Sequence, residues 1–240
     1  LHLLSRRQRQ MCIRDSNITA VVTVADDGGS SGILRSDLGM LAPGDVRNCV
    51  SALAEVDPVM GELLNFRFKD GSLKGHSLGN LFLAALNETS SSFDEAVKKF
   101  SHLAGVVGTV YPVTNESVTL SALLEDGRLI EGESHIGVHH DGPKNGIVKL
   151  MVNPEKPKAV DGVIKALEKA DIIVLGPGSL YTSIIPNLLV DGVVDAIKKS
   201  NAVKIYVCNI MSQAGETENY TVSDHLAAIE RHSYEGIADI

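Results

Sequence analysis

Residues 171–211 read DIIVLGPGSLYTSIIPNLLVDGVVDAIKKSNAVKIYVCNIM. A short apolar run, DIIVL, meets the small-residue loop GPGS. An amphipathic stretch, LYTSIIPNLLVDGVVDAIKKS, comes next, and a second apolar run, VKIYVCNIM, closes the segment. Near-continuous apolar strands joined by a helix signal a βαβ crossover, and hence a parallel sheet with helices on both faces. The pattern extends in both directions. IVKLMVN and AVDGVIKALEKA precede it as strand and helix, and SQAGETEN and VSDHLAAIERH follow as loop and helix. ITAVVTVA, residues 18–25, is rich in β-branched residues and reads as a further buried strand of the same sheet. The expected fold class is α/β, a Rossmann-like parallel sheet covered by helices.

Between these strands the pattern changes. Pro43-Gly44-Asp45 offers a helix start, with Asp45 as N-cap of VRNCVSALAEV. VMGELLNFRF after Asp57-Pro58, LGNLFLAALNE capped at Ser77, and SFDEAVKKFSHLAG extend a helical series. TVYPVT follows, and then VTLSALL and RLIEGESHI flank Glu125-Asp126-Gly127, a hairpin signal. No repeat or low-complexity linker interrupts the chain, so residues 17–240 read as one domain with a helical and β-hairpin insertion. Residues 1–16, LHLLSRRQRQMCIRDS, are basic and aperiodic. They read as a foreign stretch left by assembly or translation, with a native basic arm as the alternative; a signal peptide needs a longer apolar centre.

Composition removes several function classes. A net charge of −8 over 240 residues disfavours nucleic acid and anionic membranes, which both select a basic face. Cys12, Cys49 and Cys208 are too widely spaced for a disulfide framework or a zinc site. No apolar run is long enough to span a membrane, which makes the cytosol the default compartment.

Three loops follow strands directly and are small and polar: DDGGSSG, GPGSLYTS and SQAGETENY. Ligands of open parallel sheets gather beyond the carboxyl ends of the strands, where helix N-termini attract anions. Gly176 and Gly178 permit close backbone approach, and Ser179, Thr182 and Ser183 add hydroxyls. Asp26 and Asp27 have three readings: holding Mg2+ against a diphosphate, accepting hydrogen bonds from a ribose or sugar, or closing an Asx turn. Arg47 and Asn48 lie on a first helical turn, where an arginine fork suits phosphate and a surface ion pair is the plainer use. His76 and Asn80, four apart, share a helical face if the helix includes both, either a polar-lined face over a ligand or an exposed cap. Gly75-His76-Ser77-Leu78-Gly79 matches GxSxG, but KDGSLK before it is no buried strand, so a nucleophile elbow is not supported. Neither a Walker A motif nor a GxGxxG after a strand is present.

The runs ITAVVTVADDGGSSG, PGDVRNC, LKGHSLGNL, PVTNESVTL, IVLGPGSLYTSIIPNLLV and VCNIMSQAGETENYTVSDHL together resemble the YvcK-type gluconeogenesis factors. That family is related to the CofD-type 2-phospho-L-lactate transferases. The resemblance implies a cytosolic bacterial protein that binds UDP sugars such as UDP-N-acetylglucosamine and is needed for cell shape and peptidoglycan synthesis during gluconeogenic growth. It assigns no catalytic residue. The transferase relatives move phospholactate from a guanosine-diphosphate-linked donor with Mg2+. Carried over, Asp26, Asp27, Gly28, Gly29, Ser30, Ser31 and Gly32 form the nucleotide-side loop, and Asp45, Arg47 and Asn48 line the cleft. Asn115, Gly176, Gly178 and Ser179 surround the diphosphate, and Tyr220 faces the nucleotide sugar. Two departures stand out: residues 1–16 replace the usual first strand with its GGGTG-like loop, and Ile240 falls short of the usual end. The GGSSG run favours a non-catalytic sensor, acting through a partner protein in cell-wall synthesis, over a CofD-like transferase. Mg2+ is the one cofactor the resemblance raises, and it leaves homodimerisation open.

Overall fold

The computed structural model describes residues 17–55, 58–137 and 146–240, so residues 1–16, with Cys12, and Asp57 lie outside it. The chain forms two compact units, one of Gly29–Pro112 with the described residues up to Val22, the other of Thr23–Gly28 with Val113–Ile240.

In the first unit β1 (Thr19–Val22) pairs in parallel with β2 (Thr109–Pro112). Five helices lie between them in sequence: α1 (Gly29–Leu38), α2 (Gly44–Leu53), α3 (Pro58–Asn65), α4 (Leu78–Glu88) and α5 (Phe93–Leu103). Helix α4 starts at the serine cap expected from the sequence, Ser77 accepting from the Asn80 N–H, and α5 is capped likewise by Ser92, which accepts from the Glu95 N–H. Leu83, Val97 and Phe100 fill the core beneath them. The helix expected over 59–68 stops at Asn65, because the next residues take another partner. Leu78 N–H donates to Phe66 O and Phe68 N–H to His76 O, giving a tight antiparallel turn that feeds α4.

The second unit holds an antiparallel sheet of order β4-β3-β5, from β3 (Thr119–Leu124), β4 (Leu129–Glu131) and β5 (Ile147–Asn153), with the short α6 (Glu133–Ile136) after β4. The Asp126-Gly127 turn closes the β3–β4 hairpin as expected. Next come α7 (Asp161–Lys169), β6 (Ile172–Leu175), a π-helical turn at Leu180–Ile184, α8 (Ile185–Leu188), α9 (Val193–Lys199), β7 (Val203–Tyr206) and α10 (Val222–Arg231). Strands β6 and β7 pair in parallel across this crossover. The α/β class with parallel strands and helices therefore holds.

Several local expectations are corrected. Strand β5 runs antiparallel to β3, and only Ile147 and Leu150 of its residues are buried. Strand β1 pairs with β2, not with the β6 sheet. One face of β6 is open, with Ile172 58% and Val174 52% exposed. The run 180–200 is not one helix: Gly192 takes a left-handed φ of 86° and divides it. The residues Gly29 to Gly32 are the first turn of α1 rather than loop. Asp45 lies inside the first turn of α2 and makes no side-chain cap there; Pro43 holds the cap position.

His232 ties α10 to β5. Its Nε2 accepts from the Leu150 N–H at 2.8 Å while Nδ1–H donates to Ala228 O at 2.7 Å, an arrangement open only to the neutral ring. Burial, with Arg231 and Lys149 nearby, holds its pKa below the usual imidazole value, against the opposing pull of the Ala228 bond. The folded state thus binds protons less readily than the unfolded chain. The stabilisation is present above the unfolded pKa of about 6.5 and is lost as pH falls through the lower folded value. Thermal unfolding against pH is expected to show the midpoint falling below that pH, with a shallower fall in His232→Gln.

Candidate functional site

In the first unit four polar side chains from three helices and a turn converge. Helix α2 carries Arg47, α4 carries Asn80, the residue before the Ser77 cap is His76, and α1 brings Ser30. All four are buried, Arg47 to 8% exposure, Ser30 to 6% and Asn80 to 2%. Arg47 Nε donates to Asn80 Oδ1 at 3.2 Å and Nη1 to Asn65 Oδ1 at 2.8 Å. The Asn65 amide is oriented by its own bond to Gly61 O. Asn80 Nδ2 donates to Ser30 Oγ at 3.1 Å, and Ser30 Oγ lies 3.0 Å from His76 Nδ1.

Both side-chain acceptors of this guanidinium are neutral amides. Burial lowers the Arg47 pKa, Arg67 lowers it further, and Asp45 opposes. A buried cation is costly unless a countercharge reaches it. Here the fold provides a fork of further N–H donors with no carboxylate on them among the described residues. That fork suits a phosphate. Ser77, the would-be nucleophile of GxSxG, is buried and accepts from the Asn80 N–H as a helix cap.

The second unit ties its two loops together. Ser179 Oγ donates to Gln213 Oε1 at 2.8 Å, and Gln213 Nε2 donates to Glu216 Oε1 at 2.8 Å. The buried Glu216 carboxylate also accepts from the Tyr181 N–H and the Thr182 hydroxyl, both at 3.1 Å. Asn209 Nδ2 donates to Gly178 O at 2.7 Å. A protein carboxylate therefore occupies donors at the opening turn after GPGS, which the sequence offers to a phosphate. Tyr220 Oη meets Tyr181 Oη at 2.9 Å, and Tyr181 donates on to Ile147 O. Burial first, then the Tyr220 bond, pushes the Tyr181 pKa up. Tyr220 also lines a cavity of about 340 Å³ with Glu125, Asp224 and Arg231.

The two loop acids serve the backbone. Asp26 Oδ1 accepts from the Gly28 N–H at 2.9 Å, an Asx turn. Asp27 accepts from the N–H groups of Glu133 at 3.0 Å and Ser134 at 2.8 Å, capping α6. Among the described residues no group of three or more His, Cys, Asp or Glu could hold a metal ion. The pair as placed fits a loop clamp rather than a Mg2+ cage.

Of the residues singled out in the sequence, Ser30, Arg47, His76 and Asn80 share one hydrogen-bonded group, and Ser179 and Thr182 share another through Gln213 and Glu216. Gly28, Gly29, Ser31 and Gly32 surround the start of α1, Ser183 is half-buried in the π-helical turn, and Asn48 and Asn115 are exposed. Asn65, Tyr181, Gln213 and Glu216 carry no sequence signal of their own, because each is defined by a partner distant in the chain.

Residues 2–240 match a family model described as 2-phospho-L-lactate transferase CofD. The chain belongs to the CofD family. Within it, a Halalkalibacterium halodurans protein named gluconeogenesis factor is 49% identical over 226 residues, 93% of this chain and 68% of that protein. A Clostridium acetobutylicum relative is 52% identical over 229 residues, 95% of this chain, and the chain spans about half (51%) of that relative. A crystal structure of a UPF0052 family member from Bacillus halodurans matches with a TM-score of 0.89 at 48% identity, covering 93% of this chain and 71% of that one. The family match and these relatives agree with the resemblance and the fold class read from the sequence. Among the described residues no helix is long and apolar enough to cross a membrane.

Proposed function

We propose that the chain is a gluconeogenesis factor that binds a UDP sugar, with UDP-N-acetylglucosamine as ligand. In this reading it is a cytosolic regulator of cell shape and peptidoglycan synthesis during gluconeogenic growth, and a protein partner reads its bound state. One observation carries the ligand class: Arg47 is buried, held by two amide oxygens, and keeps donors for an anion. A nucleoside diphosphate supplies that anion, and its sugars add hydroxyls for the neighbouring polar groups. The name of the relatives, gluconeogenesis factor, supports the link to gluconeogenic growth.

The alternative, a CofD-like transferase acting on a nucleoside-diphosphate-linked phospholactate donor, draws support from the family description. Both readings need the same diphosphate subsite and differ in turnover. Calorimetric titration with UDP-N-acetylglucosamine, with and without Mg2+, is expected to show saturable binding, with the ligand recovered unchanged. No heat with this ligand, together with consumption of the phospholactate donor, would overturn the regulatory reading in favour of the transferase.

A further inference from the structure

The hydrogen bonds around Arg47 have a direction. A guanidinium only donates. Asn80 therefore turns its Oδ1 to Arg47 Nε and its amide N–H to Ser30 Oγ. Ser30 Oγ then accepts one bond and still has its own proton to place. The side chain is 6% exposed, so bulk water is a poor acceptor for it. Among the described residues the group in reach is His76 Nδ1, at 3.0 Å. A proton on Nδ1 would make Ser30 accept twice and leave its buried hydroxyl hydrogen without an acceptor, which buried polar groups rarely tolerate. The hydroxyl instead donates to Nδ1, and the neutral ring carries its hydrogen on Nε2. Among the described residues nothing accepts from that Nε2–H, and Nε2 is not one of the buried polar atoms sealed off without a partner.

We infer that His76 donates its Nε2–H to a phosphoryl oxygen of the ligand, in a tautomer set by Asn80 and Ser30 from the buried Arg47. This rests on the anion-binding reading of the same site. His76 is then a ligand-binding residue, and Ser30 and Asn80 are positioning residues that act through it. Each link polarises the next, since a charge-assisted donor at one end strengthens a chain of hydrogen bonds. The site offers an oxyanion two kinds of donor, the remaining guanidinium N–H groups of Arg47 and the imidazole N–H of His76. Neither can act as an acceptor there, so a group that must donate, such as an ammonium, is excluded at this position.

The test starts with the ligand-free full chain labelled with 15N-histidine. Long-range nitrogen–proton spectra are recorded at a pH well above the imidazole range, and the His76 signals are assigned by their loss in His76→Gln. A protonated Nε2 and a bare Nδ1 are expected, with Ser30→Ala shifting the ring toward a mixture of tautomers. A dominant Nδ1–H form in the wild type overturns the inference. Titration with inorganic phosphate and with uridine diphosphate should then move the Nε2 resonance. Binding of either probe with Nε2 unmoved overturns the inference while leaving the site intact. Movement with phosphate alone sustains the inference and removes the nucleotide reading; no binding of either removes both. Gln places its amide N–H near the Nε2 position and Asn near Nδ1. His76→Gln is therefore expected to hold uridine diphosphate affinity within about 3-fold, and His76→Asn to lose about 10-fold. Equal losses in the two variants overturn the donor role.

Discussion

Arg47→Met is expected to weaken nucleoside diphosphate binding by about 10–100-fold and to leave the stability of the ligand-free protein within about 1 kcal/mol of wild type. The two effects separate because they arise from different states. In the free protein the guanidinium is buried against amide oxygens, and desolvating such a cation costs several kcal/mol before any ligand arrives. Met keeps most of the side-chain volume and removes that cost. Against this, Asn80 Oδ1, on a residue 2% exposed, loses its donor, a penalty of about 1–3 kcal/mol. The terms roughly offset. In the complex no such compensation exists, since hydrogen bonds to a charged group contribute about 1.5–3 kcal/mol and vanish with the arginine. Chemical denaturation and calorimetry on the same samples check both halves. A loss of stability beyond about 3 kcal/mol with affinity unchanged would make Arg47 a strut rather than a binding group.

The readable parts of the fold are those set by near neighbours in sequence. The crossover over 171–206 is legible because one apolar run ends at GPGS and the next, VKIYV, opens after Ser200-Asn201, and the hairpin because Asp126-Gly127 favours one turn. The direction of β5 is not legible, since periodicity says which residues face inward but not which strand lies alongside. Helix α1 is hidden by its own composition: GSSGILRSDL holds two glycines and three serines, poor helix formers, and burial of Ser30, Ser31 and Leu34 overrides that preference. The site divides in the same way. Arg47, His76 and Asn80 are recognisable by type, but Asn80 and Ser30 lie 50 positions apart and only the fold makes one the donor to the other. Glu216 reads as an ordinary loop acid until Tyr181 and Thr182 are seen bonded to it.

Gly79→Ala is expected to destabilise the protein by about 1–2 kcal/mol and to weaken ligand binding with it. Helix propensity alone argues the other way, since Ala is favoured over Gly by about 1 kcal/mol inside a helix. The geometry outweighs it. A Cβ at residue 79 would lie 2.5 Å from Leu64 O and 2.6 Å from Arg47 Cδ. The arginine stem can swing aside, but the carbonyl belongs to the backbone at the end of α3 and cannot move alone. The next residue is Asn65, whose Oδ1 holds Arg47 Nη1 at 2.8 Å. Relief of the clash therefore draws α3 away from α4 and opens the bond that orients the guanidinium. Overpacking of this kind costs about 1–3 kcal/mol, enough to reverse the propensity gain. The pairing with Arg47 can be read from a double variant. In an Arg47→Ala background the contact with Cδ is gone and the contact with Leu64 O remains, so the cost of Gly79→Ala should shrink without disappearing. A stabilising Gly79→Ala would place α4 farther from the end of α3 than these distances allow, and the tight seating of Arg47 would fall with it.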